Sequence, residues 1–451
     1  MADNTKFSTK LGVIAATVGS AVGLGNIWRF PYEAGMHGGG AFLLIYVIFV
    51  LLIGVPVVAG ELVIGRYTGC NVAGAFKKLK AAPVWHTVAY TGLLSSLLIL
   101  GFYSVVAGWT VEYIYQAVTG FGGAQTEAAL HEQFDQFTAS GPRQIFWTLL
   151  FLAINFFVIS RGVQKGIERV SNVLMPMLFA ILVVFCVNAL FMPGASEGLA
   201  FLFHPDFSKI GVSTVLGALG QAFFSLSVGM GVLMTYASYF TKDTRLVSTS
   251  VTTAVLDTLV AVMAGVIIFP AVFSFGEAPA AGPRLVFEVL PSIFTTLPGG
   301  SLWALLFFIL LFVAALTSTI SLSEVVIAWI VGEWKLSRGK ATLIYGVAVS
   351  LLSCLSAMSF GPLAGFKLFG LNFFDLLDFV SSNILLPVGG LLIALYTGWK
   401  LPARILRAQL SAPGRDPGAP TPAGVRLIIF SLRYICPLAI LAIFIWGLLP
   451  H

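Results

Sequence analysis

Gly19-Ser20-Ala21-Val22-Gly23-Leu24-Gly25-Asn26 lies in the middle of an apolar run that extends over residues 11–36. Glycines and the small polar groups of Ser20 and Asn26 interrupt what would otherwise read as a membrane-crossing helix. Each glycine costs a helix about 1 kcal/mol relative to alanine. Irregular backbone at membrane depth is tolerated only where it lines a cavity or is buried in protein. The stretch therefore predicts a helix that opens near Val22–Gly25 and bares carbonyl and N–H groups. The competing reading is that these glycines let two helices pack closely. A second segment of the same kind, Gln221-Ala222-Phe223-Phe224-Ser225-Leu226-Ser227-Val228-Gly229-Met230-Gly231, falls within the apolar run 212–240. Interrupted segments at matching positions of two halves point to inverted repeats with the binding site between them. Half-helix N-termini favour a carboxylate and freed carbonyls a cation, so the pair suits an amino-acid zwitterion.

The rest of the chain supports a membrane protein. Of 451 residues, 58% are hydrophobic and 10% charged, against roughly 25% charged in soluble domains; mean hydropathy is +0.95. Apolar runs of about 20 residues, the length of a crossing, occur at 11–36, 40–65, 86–118, 144–160, 167–192, 212–240, 247–275, 300–334, 341–359, 372–398 and 425–449. The expected fold is an all-α integral membrane protein of about eleven transmembrane helices. Two inverted five-helix repeats, with helices one and six broken, carry one peripheral helix. The expected organisation is an N-terminal segment 1–10, a first repeat 11–192, an external loop 193–211, a second repeat 212–398, a linker 399–424 and a last crossing 425–451 with an external C-terminus. Within the loops, 284–296 reads as an amphipathic cap over an external vestibule.

With the N-terminus inside, 19 lysines and arginines face the cytoplasm and 4 face out, with Arg29 and Arg433 within crossings. Positive charge favours the cytoplasmic side, so the plasma membrane is the expected location. The formal charge of +6 is then a membrane-surface feature, and no nucleic-acid partner is expected. Cys70, Cys186, Cys354 and Cys436 are far apart, which argues against a disulfide framework or zinc site. No P-loop, zinc-protease, nucleophile-elbow or dinucleotide motif occurs, so no enzyme is expected.

GSAVGLGNIWRFPYEAGMHGGGAF (Gly19–Phe42) resembles the first-helix signature of the neurotransmitter:sodium symporter family, and of its bacterial hydrophobic amino-acid transporter branch. GQAFFSLSVGMG (Gly220–Gly231) is similar to the family's sixth-helix break. ALTSTIS (Ala315–Ser321) is similar to its eighth-helix sodium motif, and RGVQKGIERV (Arg161–Val170) and Met234–Tyr239 match as well. The resemblance runs from Leu11 to about Pro437.

That resemblance implies two sodium sites. The first would use Ala21, Asn26, Ser225 and Asp257 with the substrate carboxylate; the second would use carbonyls of Gly19, Val22 and Ala314 with hydroxyls of Thr317 and Ser318. Oxygen ligands suit a hard cation. Apart from the family, Thr317 and Ser318 read as hydroxyls bonded back to their own helix. The substrate carboxylate would meet Leu24, Gly25 and Tyr103, and its amine Ala21, Phe224, Ser225 and Ser227. The side chain would lie against Ile99, Val106, Phe224, Met230, Ser318 and Leu322. No charge lines that pocket, so an apolar or aromatic side chain is expected. The outer gate would be Arg29 with Asp378 above Tyr103 and Phe224, and Tyr239 would belong to the inner closure. Gly166 and Pro176 are similar to a motif that lets helix five open toward the second sodium site. Glu61 is expected to accept N–H groups freed by the break in helix six.

Three departures matter. Asp257 stands where asparagine is frequent; an intramembrane carboxylate is costly unless paired, and sodium is its natural partner. It predicts transport without chloride. At the inner latch, Asn4, Phe7 and Gly332 replace the usual ionic partners, leaving Lys6 and Glu333 as candidate substitutes. Many relatives have twelve helices, so a monomer or weak homodimer is expected. The resulting reading is sodium-coupled symport of a hydrophobic or aromatic L-amino acid into the cell. An osmolyte carrier, and a channel or substrate sensor on the same scaffold, are the alternatives.

Overall fold

The computed structural model describes residues 6–120, 127–276, 286–287, 290–291, 294, 299–414 and 420–448. The described chain is helical, with α1 (Lys10–Ala21), α2 (Gly25–Met36), α3 (Gly40–Thr68), α4 (Val72–Lys78), α5 (Pro83–Val118), α6 (Glu127–Ala139), α7 (Gly141–Ser160), α8 (Val163–Ala189), α9 (Ala195–Phe203), α10 (Val212–Ser225), α11 (Val232–Ala237), α12 (Leu246–Ser274), α13 (Gly300–Trp334), α14 (Arg338–Met358), α15 (Phe373–Lys400), α16 (Ala403–Leu410) and α17 (Ala423–Trp446). Among the described residues, 9 helices are long and apolar enough to cross a membrane, and α1 with α2 forms a further crossing bent by 47°. The shorter apolar helix α10 continues through a break into α11. These eleven runs correspond to those expected, with α7 three residues longer at its start than the predicted 144–160.

Both breaks have local causes. In the first, the α-helix ends at Ala21 with Val22 extended (φ −68°, ψ 116°). The Asn26 side chain then accepts the Gly23 N–H at 3.0 Å and so stands in for a missing backbone acceptor. In the second, Ser227, Gly229 and Gly231 all take positive φ (53°, 83° and 73°), a region that L side chains rarely occupy. At Gly229 a Cβ would also lie 2.7 Å from the Leu386 carbonyl oxygen. The stranded N–H groups of Gly229 and Met234 donate to Glu61 at 2.8 and 3.3 Å, the arrangement expected of that residue.

The broken helices sit inside a sleeve of α3, α5, α12, α13 and α15, and residues of all these elements share one continuous buried core. Outside it, α7, α8, α14 and α17 show large apolar residues such as Phe146, Val183, Leu351 and Leu438 on their outer faces, as lipid requires. The loop 193–211 holds a helix, α9, packed on α12. The linker 399–424 likewise begins with α16, which sequence reading did not place. Of 284–296, the described residues Val286, Phe287, Leu290, Pro291 and Phe294 are buried; the remainder of that proposed cap lies outside the described residues, as does Asn4.

Candidate functional site

Opening α1 from α2 and α10 from α11 at one depth brings their ends against α5, α12 and α13. The cavity between them is small, ≈ 20 Å³, and is lined by Ser20, Ala21, Gly23, Gly25, Ile99, Tyr103, Phe224, Ser225, Ser227, Met230, Ser318 and Leu322. Most of the residues expected to touch substrate are in that lining; two are not. Leu24 is fully buried behind it, and only its N–H reaches the site, donating to the Tyr103 hydroxyl at 2.7 Å. Val106 is also buried but does not line the cavity. The α5 wall consists of Ile99 and Tyr103, and Val106 lies almost a turn beyond the tyrosine that ends it. Ser20 and Gly23 line the cavity and were not anticipated. Ser227 donates its hydroxyl to the Ser20 carbonyl at 2.8 Å, tying the two breaks together.

On one flank of the cavity, Asp257 is fully buried on α12. Its carboxylate accepts from Ser225 Oγ at 2.5 Å, Asn26 Nδ2 at 2.7 Å and Tyr46 Oη at 3.3 Å. All its partners are neutral donors. A buried carboxylate with no cationic side chain beside it attracts a cation. The oxygens of Asp257 and Ser225, close to the open end of α1 at Ala21, form a hard donor set of the kind an alkali ion takes. As placed, the Asn26 amide oxygen faces Gly23 and its nitrogen faces Asp257 and Ser225. Coordination by Asn26 as expected therefore requires the amide to turn over. Tyr46 escaped sequence reading because a tyrosine within FLLIYVIF carries no signal that separates a site hydroxyl from core packing.

On the other flank, α13 meets α1. Ser318 Oγ donates to the Val22 carbonyl at 3.2 Å, and a Cβ on Gly19 would lie 3.5 Å from Thr317 Cβ. Thr317 donates back to Val313 and Ala314 carbonyls, each at 3.1 Å. The five residues expected for a second sodium site are thus gathered. The back-bonded geometry of Thr317 is the one its helix alone would give, and its oxygen keeps a lone pair for a cation.

Above the cavity, Arg29 lies 4.7 Å over the Phe224 ring and is 3.5 Å from Asp378. Ser382 bridges them, accepting from Arg29 at 3.0 Å and donating to Asp378 at 2.7 Å. Arg29 also pairs with Glu33 at 3.6 Å. At the opposite, N-terminal end, Phe7 is buried with its ring 5.8 Å from Tyr236 and 6.2 Å from Tyr239. Tyr239 donates to Glu324 at 2.6 Å, and Glu324 is held by Arg338. Glu168, in the second turn of α8 just after Gly166, accepts both backbone N–H and hydroxyl groups of Ser8 and Thr9 at 2.7–3.2 Å. Glu333 pairs with Lys77, so the suggested Lys6–Glu333 substitute is not formed: α4 claims the carboxylate first. Glu324 could have been found in the sequence, because it is an acid deep within the apolar run 300–334; Glu168 carries no such signal, since it lies at the start of its run beside Lys165 and Arg169. Pro176 sits inside a helix that is unbroken around it.

Two helices opened at one depth around a closed, oxygen-bearing pocket, inside a multi-pass helical sleeve, define a carrier and not an enzyme. The chain belongs to the Sodium:neurotransmitter symporter family, whose sequence profile matches residues 4–133 and 124–404. It is similar over 98% of its length to the uncharacterized sodium-dependent transporter YhdH of Bacillus subtilis, with 38% identity and 97% of that protein covered. Identity is 28% to the sodium-dependent dopamine transporter of Bos taurus, over 88% of this chain and 63% of that one. Among solved structures, MhsT in complex with L-phenylalanine matches with a TM-score of 0.93 and 42% identity, covering 98% of this chain and 99% of that one. The protein is a sodium-dependent, multi-pass membrane transporter.

Proposed function

We propose that this transporter carries a hydrophobic or aromatic L-amino acid into the cell with sodium, by alternating access and without chloride. The observation that carries the reading is the Asp257–Ser225–Asn26 cluster, buried beside two opened helices and an otherwise uncharged cavity. The zwitterion's carboxylate meets the N–H groups of Leu24 and Gly25 with the Tyr103 hydroxyl, the Leu24 N–H giving up its bond to that hydroxyl. Its amine meets carbonyls at Ala21, Phe224 and Ser225 and the Ser227 hydroxyl. One sodium sits among Ala21, Asn26, Ser225, Asp257 and the substrate. A second sits among Gly19, Val22, Ala314, Thr317 and Ser318. The side chain lies against Ile99, Phe224, Met230 and Leu322, where methionine yields readily to differently shaped rings. Phenylalanine in the similar MhsT structure supports that size class.

Alternation follows from the closures. Arg29, Asp378 and Phe224 shut the outer path, while Tyr239, Glu324 and the Glu168-held N-terminus shut the inner one. A gate whose contacts form only in one state shifts population by the difference in contact energy. The basic end faces the cytoplasm.

Reconstituted protein is expected to accumulate radiolabelled phenylalanine, tryptophan and leucine under an inward sodium gradient, and not under potassium or lithium. Replacing chloride with gluconate leaves the rate unchanged. Equal uptake in all three cations refutes coupling to sodium, and preference for an osmolyte such as a betaine over phenylalanine refutes the substrate class.

A further inference from the structure

Away from the transport pocket, the N-terminal end of the molecule holds a second cavity of ≈ 420 Å³. It lies where α3 ends, where the chain turns from α4 into α5, and where α15 passes into α16. Lys78, Lys80 and Lys400 line it together with the rings of Tyr67, Trp85 and Tyr396, and among the described residues no carboxylate does. Trp85 and Tyr396 form one wall, with ring centroids 5.2 Å apart, backed by Phe76 at 5.0 Å from Tyr396. Lys80 sits on a tight turn with φ 51°, fixed by its N–H to the Lys77 carbonyl and by Ala81 N–H to Phe76, each at 3.1 Å. The neighbouring Lys77 is committed to Glu333, and Lys78 donates to the Thr68 carbonyl at 2.6 Å. Among the described residues, no acid pairs with Lys80 or Lys400.

We propose that this cavity binds the phosphate group of an anionic phospholipid from the adjoining leaflet. A basic membrane face needs only lysines directed into water. Here three lysines border one concavity, Lys78 held at its edge by the Thr68 carbonyl, and like charges so placed favour an anion between them. A phosphate supplies several acceptor oxygens to such a cluster. The cavity lies at the ends of membrane-crossing helices, at headgroup depth, where basic pockets between helices take anionic lipid heads. Tryptophan and tyrosine are the side chains that settle at that boundary. Free phosphate shares the charge but not the acyl chains, so the lipid has the added hold of the bilayer beside the half-exposed Tyr67. The inference requires only that the chain spans a membrane, so its failure leaves the transport reading untouched.

The test uses the full chain purified from phosphatidylcholine nanodiscs with and without phosphatidylglycerol, with retained lipid counted by native mass spectrometry. Phosphatidylglycerol is expected to remain bound to the parent, and the double variant K80Q/K400Q is expected to hold it roughly tenfold less well. The K335Q/K340Q control removes the same charge from the same end and leaves retention unchanged. Sodium-driven uptake by both variants verifies that they fold. Equal loss in the two double variants, or no loss in K80Q/K400Q, overturns the proposal. So does displacement of the lipid by millimolar inorganic phosphate, which would make the cavity a site for the free ion.

Discussion

In chloride-free medium, Asp257→Asn is expected to lower sodium-driven uptake to about one hundredth of the parent rate or less at limiting sodium, and added chloride is expected to restore much of it. The parent carboxylate is fully buried and contacts only neutral donors, Ser225, Asn26 and Tyr46. Its charge is therefore available to the ion. Removing one partner of a buried charge pair costs ~3–5 kcal/mol, and each 1.4 kcal/mol is tenfold in affinity, so sodium should bind about 10²–10⁴-fold more weakly. Asparagine is nearly isosteric, which keeps packing out of the comparison. Once the carboxylate is gone, the Tyr46 and Ser225 hydroxyls are free to donate to an external anion, which returns the missing charge beside the sodium. Uptake by the variant equal to the parent in gluconate, at sub-saturating sodium, would remove Asp257 from the ion site. Loss without chloride rescue would keep it there but end the idea that its charge does chloride's task.

The features legible in the sequence were those that cost energy in lipid. Glycine clusters at 19–25 and 229–231 weaken a helix, and Asp257 and Glu61 are acids in apolar runs; each violates the expectation for a plain crossing and so announces itself. Residues that fit both a core and a site stayed hidden. Tyr46 reads as packing until its hydroxyl is found 3.3 Å from Asp257, more than two hundred residues away in sequence. Val106 looked equivalent to Tyr103 because helical periodicity gives a face and not the point where a cavity ends. The inner closure was misassigned for a similar reason. The pairing of Glu333 with Lys77 rather than Lys6, and of Ser8 and Thr9 with Glu168, depends on how separate helices dock. The orientation of Asn26 is likewise set by its neighbours, since the amide can present either end.

Glu61→Ala should be the most damaging single change outside the ion sites. The residue is fully buried on α3 and accepts the two N–H groups, Gly229 and Met234, that the opened helix leaves without partners. A buried donor left unsatisfied costs about 1–3 kcal/mol, so truncation destabilises the break by ~2–6 kcal/mol. No water-filled alternative is at hand: Gly229 and Met234 are both buried, and Leu386 closes against Gly229. The same segment places Ser225, Ser227 and Met230 around the cavity, so disorder there reaches substrate and ion together. The expected result is a lower melting temperature for the detergent-solubilised protein and uptake near background. Glu61→Gln should fall between, because its carbonyl still serves Gly229 while its amide sets a donor against the Met234 N–H. A Glu61→Ala protein that melts with the parent and transports at the parental rate would mean that the break is held open by Ser227 and its bond to the Ser20 carbonyl instead, with Glu61 a bystander to it.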